Sequence, residues 1–227
     1  MADESLSGAE VDGSRRFHDR RDAGRRLAAL LDSYAGRPDV IVLALPRGGI
    51  PVGYEVARAL GAPLDVFVVR KLGVPGFEEL ALGALASGGA RVVNDDVVRM
   101  YRISEELLDD VTRMEQAELE RREHQYRGDR PFPELAGKTI ILVDDGLATG
   151  ATMRAAVAAV REKAPARVVV AVPVSAAETC AAFRGIADEI VCALTPEAFH
   201  AVGLWYEDFS QTTDDEVRDL LARARAA

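Results

Sequence analysis

Acidic, glycine and hydroxyl residues follow an apolar segment within residues 140–153. The run reads Ile-Ile-Leu-Val-Asp-Asp-Gly-Leu-Ala-Thr-Gly-Ala-Thr-Met. Its apolar part predicts a buried strand that ends in Asp144 and Asp145, and the glycine-containing loop leads into a helix. The backbone N–H groups of such a loop, the helix N-terminus and the Thr149 and Thr152 hydroxyls can bind a phosphate together.

The two carboxylates cannot hold that same phosphate, because like charges repel. They must accept hydrogen bonds from a neutral group or meet a metal ion. A sugar diol attached to the phosphate meets both conditions, so the motif predicts a ribose 5-phosphate site. Two rival loops do not fit, because Gly150-Ala151-Thr152 lacks the P-loop lysine and no GxGxxG pattern follows the strand. By contrast, Asn94-Asp95-Asp96 is interpreted as an exposed strand end or turn.

The stretch resembles the 5-phosphoribosyl-1-pyrophosphate (PRPP) motif of type I phosphoribosyltransferases. The resemblance implies that Asp144 and Asp145 bind the ribose and act in catalysis, with Mg²⁺ held near them indirectly. It implies an α/β fold, a Rossmann-like parallel sheet with flap and hood elements. The residues expected to bind the ribose 5-phosphate with the acidic pair are Gly146, Ala148, Thr149, Gly150, Ala151 and Thr152.

Two basic loops also follow predicted strands. Arg47, Gly48 and Gly49 come directly after the strand Val40 to Leu45, and they resemble the family's pyrophosphate loop. The resemblance implies a cis peptide bond near Arg47-Gly48. Arg70 and Lys71 close the second strand and could neutralise a pyrophosphate leaving group, although a solvated basic turn is the alternative. Carboxyl ends of parallel strands share one edge, which would bring these loops together.

Two departures from the family pattern leave open which base accepts the phosphoribosyl group. The stretch from Arg70 to Gly76 is similar to one in adenine phosphoribosyltransferases, but it is one residue shorter and lacks their second lysine. Ala81 replaces a glutamate of those enzymes in the predicted flap at residues 77–87, where Glu78 or Glu79 could substitute. Ala148 replaces the aspartate base of hypoxanthine-guanine enzymes, so no general base is assigned.

Aromatic residues concentrate near the C-terminal end of the expected hood, at residues 196–210. Trp205, Tyr206 and Phe209 could stack on a planar acceptor base, or they could pack this segment onto the core. The sequence does not choose between these alternatives.

Strand and helix patterns alternate along most of the chain, which predicts a parallel sheet covered on both faces. We expect a phosphoribosyltransferase-like domain over residues 15–227, with its core at about residues 38–195. Residues 104–127 form a predicted long helical insertion that could support the flap or form a dimer face. Residues 1–14 are predicted to be a mobile tail.

Composition narrows the classes of partner. The chain has 227 residues, of which 48% are hydrophobic and 29% charged, and its net charge is −9. Nucleic acid is therefore not expected as a partner. Six arginines do crowd residues 15–26, where they could form a solvated helix face or a subunit interface. An RNA or phosphate contact is the less favoured alternative.

The two cysteines, Cys180 and Cys192, are predicted to be reduced, structural thiols of a cytoplasmic protein with no signal peptide or membrane span.

These features predict a Mg²⁺-dependent enzyme that transfers 5-phosphoribosyl from PRPP to a nitrogenous base, in the manner of nucleotide salvage. A PRPP-binding regulator without catalytic activity is the alternative. A homodimer is compatible with both functions.

Overall fold

The computed structural model describes residues 16–74 and 77–226, without the side chains of residues 77–80. The predicted tail at residues 1–14 lies outside the described residues. Seven α-helices are present in that part of the chain: α1 (Arg20–Ala29), α2 (Gly49–Leu60), α3 (Asp95–Met100), α4 (Glu105–Arg127), α5 (Ala151–Arg161), α6 (Ala177–Ala182) and α7 (Asp214–Ala226). Two short 3-10 helices span Asp32–Tyr34 and Val202–Trp205.

The central sheet has five parallel strands, as the sequence predicts. They are β1 (Val40–Ala44), β2 (Leu64–Val66), β6 (Thr139–Val143), β7 (Arg167–Val174) and β8 (Glu189–Leu194), in the order β2-β1-β6-β7-β8. Every residue of β1 and β6 is buried, because helices cover both faces of the sheet. Successive residues of a central strand point to opposite faces of the sheet and pack into different helix layers. Val42 packs with α1, α2 and α7, whereas Leu43 packs with α5.

A second, antiparallel sheet carries the predicted flap. It contains β3 (Val69–Val74), β4 (Phe77–Ala86) and β5 (Ala90–Val93), and the predicted hairpin joins β4 to β5. The sequence predicts one strand from Leu64 to Val69, but the central strand ends at Val66 and a new strand begins at Val69. Buried Phe67 and Val68 continue the apolar run between them, which explains why the pattern shows no break.

Helix α4 supports the flap, one of the two roles predicted for it. The Ser104 hydroxyl accepts from Leu107 N at 3.2 Å and caps its start. The helix packs against β3, β4 and α7. Near its end, buried Arg127 pairs with Asp65 of β2, the Nε to Oδ2 distance being 3.2 Å. The insertion is therefore fastened both to the flap and to the central sheet.

The interpretation of Asn94-Asp95-Asp96 as a turn or strand end is wrong in part. Asn94 caps α3 by accepting from Val97 N at 3.4 Å, and Asp95 and Asp96 form the first helical turn. Acidic side chains are favourable there because the helix N-terminus is positive.

The two cysteines form a disulfide, contrary to the predicted reduced thiols. Cys180 of α6 is bonded to Cys192 of β8, with a Cα–Cα distance of 6.7 Å. Their separation of 12 residues gave no sequence signal, because only the packing of α6 beside the edge strand brings them together. No helix in the described part of the chain has the length and apolar character needed to cross a membrane.

Candidate active site

The predicted acidic pair and the predicted pyrophosphate loop lie side by side. Strands β1 and β6 are paired so that Ala44 lies opposite Val143, and both loops leave the sheet at the same edge. The contact between them is too close for side chains: a Cβ on Gly49 would lie 2.8 Å from Val143 O, and one on Gly48 would meet the Asp145 carboxylate. Glycine is thus required in this loop for close approach rather than for turning.

The loop contains a cis peptide bond between Pro46 and Arg47. The family resemblance implied such a bond near Arg47-Gly48, one peptide further along the chain. The cis bond therefore precedes Arg47 instead of following it.

Asp144 lies at the end of a fully buried strand and is itself partly buried. Desolvation raises the pKa of its carboxyl well above the ordinary value of 3.8, and the neighbouring Asp145 charge raises it further. Its Oδ1 accepts from Asp145 N at 2.8 Å. A second hydrogen bond to the carboxylate, for example from a ribose hydroxyl, would favour the charged form.

Asp145 has a cationic partner that the sequence did not identify. Arg20 Nε donates to Asp145 Oδ2 at 2.8 Å, and their side chains are only 11% and 16% exposed. Burial raises the pKa of Asp145, while the hydrogen bond and charge of Arg20 lower it. Asp145 therefore ionises more readily than burial alone would allow.

Arg20 also joins the site to the predicted hood. Its Nη1 donates to Ser210 O at 2.7 Å, and its guanidinium carbon lies 3.9 Å from the Phe209 ring centroid. The sequence predicted six clustered arginines as a solvated face or an interface. Asp22, paired with Arg26 at 2.9 Å, and the exposed Arg25 fit the solvated face, but Arg20 does not.

The predicted phosphate loop is open where a phosphate would bind. Four of its residues are exposed: Ala148, Thr149, Ala151 and Thr152. Gly150 is buried at the start of α5 with a φ of +73°, and a Cβ there would lie 2.8 Å from the Phe183 ring. Thr149 Oγ1 accepts from Ala151 N at 3.4 Å. Gly146 packs against Val202, which fastens the other end of the loop.

The three predicted pyrophosphate cations have separate surroundings. Arg47 Nη1 lies 4.0 Å from Asp214 Oδ1 at the start of α7. Arg70 is paired with Glu115 of α4, the Nη2 to Oε2 distance being 2.6 Å. Lys71 is exposed and lines a cleft with Ala151, the first residue of α5. Arg47 therefore lies within the glycine loop and Lys71 borders the phosphate loop, whereas Arg70 holds the flap sheet to α4.

Two of the three aromatic residues of the predicted hood are buried. Trp205 and Tyr206 are 6% and 4% exposed and pack with Phe17. The Tyr206 hydroxyl donates to Asp145 O at 2.5 Å, so it holds the backbone of the acidic pair. Phe209 is 37% exposed and is the one ring of the three with substantial access to solvent. Packing, one of the two alternatives from the sequence, describes Trp205 and Tyr206.

Known proteins with related sequences define the family of this chain. The sequence model of the family "Phosphoribosyl transferase domain" matches residues 16–203. The chain belongs to this family. It is 50% identical over 208 residues to "Putative phosphoribosyl transferase Rv0571c" of Mycobacterium tuberculosis, which covers 92% of this chain but 47% of that protein. It therefore spans about half the length of the curated relatives that it matches.

A solved structure agrees with the fold over nearly the whole chain. The crystal structure of TT1426 from Thermus thermophilus is similar with a TM-score of 0.81 and 42% sequence identity. The match covers 92% of this chain and 98% of that one. The two chains therefore share one overall fold.

Proposed function

We propose that the protein transfers the 5-phosphoribosyl group of PRPP to a nitrogenous base and releases pyrophosphate. The observation that carries this proposal is the placement of an acidic pair between an exposed Thr/Gly phosphate loop and a close-packed Arg-Gly-Gly loop. Membership of the phosphoribosyl transferase domain family supports the reaction class. The 5-phosphate would bind at Thr149 to Thr152, and the ribose hydroxyls would donate to Asp144 and Asp145.

The reaction exchanges one bond at C1 of the ribose. The lone pair of an acceptor nitrogen forms the new C1–N bond, the C1–O bond breaks, and pyrophosphate leaves with the bonding electrons. Positive charge develops on the ribose as the leaving group departs, and the nearby carboxylates stabilise it. Arg47 and Lys71 bring positive charge to the leaving group. The acceptor then loses its proton, for which no residue is assigned.

A bound Mg²⁺ fits this site only when substrate supplies most of its ligands. Among the residues that the structure describes, no three His, Cys, Asp or Glu side chains come together as a metal site. Asp144 Oδ1 and Asp145 Oδ2 each already accept a hydrogen bond from the protein. We therefore expect indirect contact between the acidic pair and an ion that accompanies PRPP, where it would neutralise pyrophosphate charge.

The acceptor is proposed to be a planar nitrogen base that contacts Phe209. This ring has access to solvent and lies in the segment that also holds Asp145 through Tyr206. A flat base would stack on the exposed part of the ring, away from the Arg20 guanidinium, which lies 3.9 Å from the ring centroid. Trp205 and Tyr206 would act by supporting this segment, since both are buried.

The decisive experiment measures PRPP binding and pyrophosphate release separately. Calorimetry with PRPP, with and without Mg²⁺, tests the binding site. Pyrophosphate release is then followed with a panel of purine and pyrimidine bases, using Thr149→Val as the site variant and Thr149→Ser as its control. We expect Mg²⁺-strengthened binding and base-dependent release. Binding without release from any base would identify a PRPP-dependent regulator, and absence of binding would refute both functions.

A further inference from the structure

A second cleft lies at the opposite edge of the central sheet from the candidate active site. It has a volume of about 630 Å³ and is bordered by Ile41 at the beginning of β1 and Leu64 at the beginning of β2. The loops of the acidic pair follow the other ends of the strands. The segment after α4 and the last turn of α7 complete the cleft with Arg130 and Arg225.

The charges around this cleft do not cancel. Asp65 is paired with Arg127, and Arg58 is paired with Glu55 at 2.6 Å. Arg130 and Arg225 have no carboxylate within 4.0 Å among the described residues. Two positive charges therefore remain on one concave surface. Desolvation, and then the proximity of Arg130, lower the pKa of Arg225, and the charge of Asp65 opposes them only in part.

Each of the two unpaired guanidinium groups is held by a hydrogen bond to the backbone of a nearby helix end. Arg130 Nε donates to Arg127 O at 3.0 Å, and Arg225 Nε donates to Leu221 O at 2.7 Å. Neither side chain makes a hydrogen bond through its terminal NH₂ groups to any residue in the described chain. The donors most suited to an anion are thus preorganised and still available.

Apart from Tyr54, Arg58 and Asp65, the rest of the wall is apolar and would accept the body of a ligand. Its apolar residues include Ile41, Leu64, Pro131 and Pro133. A small charged ion alone would leave this surface exposed to water. Ligand sites commonly combine such a wall with a few fixed polar groups.

We infer that this cleft binds a phosphate monoester whose organic part is compact and apolar or planar. A tetrahedral dianion matches two guanidinium groups that come from separate elements, because it offers several oxygens and balances both charges. The organic part would lie against Pro131, Pro133 and Leu64. The site is independent of the proposed PRPP reaction and shares no residue with it. Helix α7 nevertheless borders both sites, since its first residue, Asp214, lies 4.0 Å from Arg47.

Phenyl phosphate is a suitable probe, and NMR can locate where it binds. Backbone amide shifts of Gly61 and Ala62 report the cleft, whereas those of Gly150 and Ala151 report the phosphate loop. We expect saturable shifts at Gly61 and Ala62, with inorganic phosphate binding there more weakly because it cannot use the apolar wall. Shifts confined to Gly150 and Ala151 would refute the site, and equal affinity for inorganic phosphate would refute the monoester.

The test variant is Arg130→Gln with Arg225→Gln. We expect its affinity for phenyl phosphate at the cleft to fall by about 10-fold or more, since each hydrogen bond to a charged group contributes substantially. The control is Arg99→Gln with Arg113→Gln, which removes the same charge from exposed arginines that have carboxylate partners. Unchanged affinity in the test variant, or an equal loss in the control, would overturn the inference. The ligand-free test variant should still unfold cooperatively near the wild-type melting temperature, because both side chains are exposed, and this checks its folding.

Discussion

The Asp144 carboxyl lies where burial and a neighbouring carboxylate both oppose its ionisation. Its pKa is raised well above 3.8 in the folded protein. Below that ordinary value the acid is protonated in both the folded and unfolded states, and its contribution to stability is fully present. As pH rises towards the folded pKa, the unfolded chain releases the proton first, so the free energy of unfolding falls.

Asp144→Asn should therefore stabilise the protein at neutral pH while removing PRPP binding. The amide oxygen can still accept from Asp145 N, and the ionisation penalty disappears. We expect a gain of about 1 kcal/mol or more, since each unit of pKa shift corresponds to about 1.4 kcal/mol. Urea unfolding from pH 4 to pH 8 measures the gain, which should increase with pH.

Asp39→Asn is the matched control for that prediction. Arg37 and Thr139 lower the pKa of Asp39 to about 2, so its contribution has the opposite sign. It is present at neutral pH and is lost as pH falls from about 4 towards 2. Replacement of Asp39 should bring no gain at neutral pH. A loss of stability in Asp144→Asn at pH 8 would contradict the assigned cause of the Asp144 shift.

The Thr149 hydroxyl should contribute to phosphate affinity without contributing to folding. The side chain is exposed, and within the described residues its hydroxyl makes one hydrogen bond, which it accepts from Ala151 N at 3.4 Å. Thr149→Val should weaken ribose 5-phosphate binding by about 1–3 kcal/mol. Calorimetry measures the change, and Thr149→Ser should retain most of the affinity. Equal affinity of the valine variant and the wild type would show that the phosphate binds elsewhere.

The sequence predicted the acidic pair and the phosphate loop because all of their residues occur within one strand-loop-helix segment. Arg20 was not predicted as their partner. It stands 125 residues before Asp145, and nothing distinguishes it from the five other arginines in its segment. Its role depends on the path of α1 across the sheet edge, which local patterns do not encode.

At the scale of elements, two loops must approach each other closely for the site to exist. A side chain at Gly49 would contact Val143 O and Asp144 Cα, which are backbone atoms that cannot move independently of β6. Gly49→Ala should lower the free energy of unfolding by about 1–3 kcal/mol and weaken PRPP binding. Chemical denaturation and calorimetry measure the two effects.

Gly185→Ala provides the comparison for this prediction. A Cβ at Gly185 would meet nothing within 4 Å. Its substitution should change the free energy of unfolding by about 0.5 kcal/mol or less. Equal effects at both positions would show that close loop packing is not required.

Regular elements with a complete local signal were predicted well. The bounds of β6, Thr139–Val143, agree with the predicted strand, and α4 begins after its predicted cap, Ser104. The sequence did not predict that residues 64–69 divide between two sheets, with β2 ending at Val66 and β3 beginning at Val69. The apolar character of Phe67 and Val68 is equally suited to either sheet, so only tertiary pairing decides where the chain crosses.

At the scale of the whole molecule, distant parts of the chain meet above the acidic pair. Phe17 forms a bridge with Tyr206, and Phe17 N donates to Trp205 O at 2.9 Å. Arg20 and Tyr206 then reach Asp145 from opposite parts of the sequence. The sequence predicted a hood from the later segment alone, because pairing with residues 16–20 leaves no periodic pattern.

This arrangement predicts that Arg20 controls the pH range of PRPP binding. Ribose hydroxyls need an ionised Asp145 as acceptor, and Arg20 opposes the rise in the pKa of that carboxyl. In Arg20→Gln the pKa of Asp145 should rise further. When the solution is acidified, the variant should therefore lose PRPP affinity at a higher pH than the wild type does. Calorimetry between pH 5.5 and pH 8.5 should show a clear loss at the acidic end and a smaller difference at the alkaline end. Arg25→Gln, an exposed arginine of the same helix, should leave the profile unchanged. A uniform loss of affinity at every pH would instead mean that Arg20 contacts PRPP directly, and an unchanged profile would show that it does not tune Asp145.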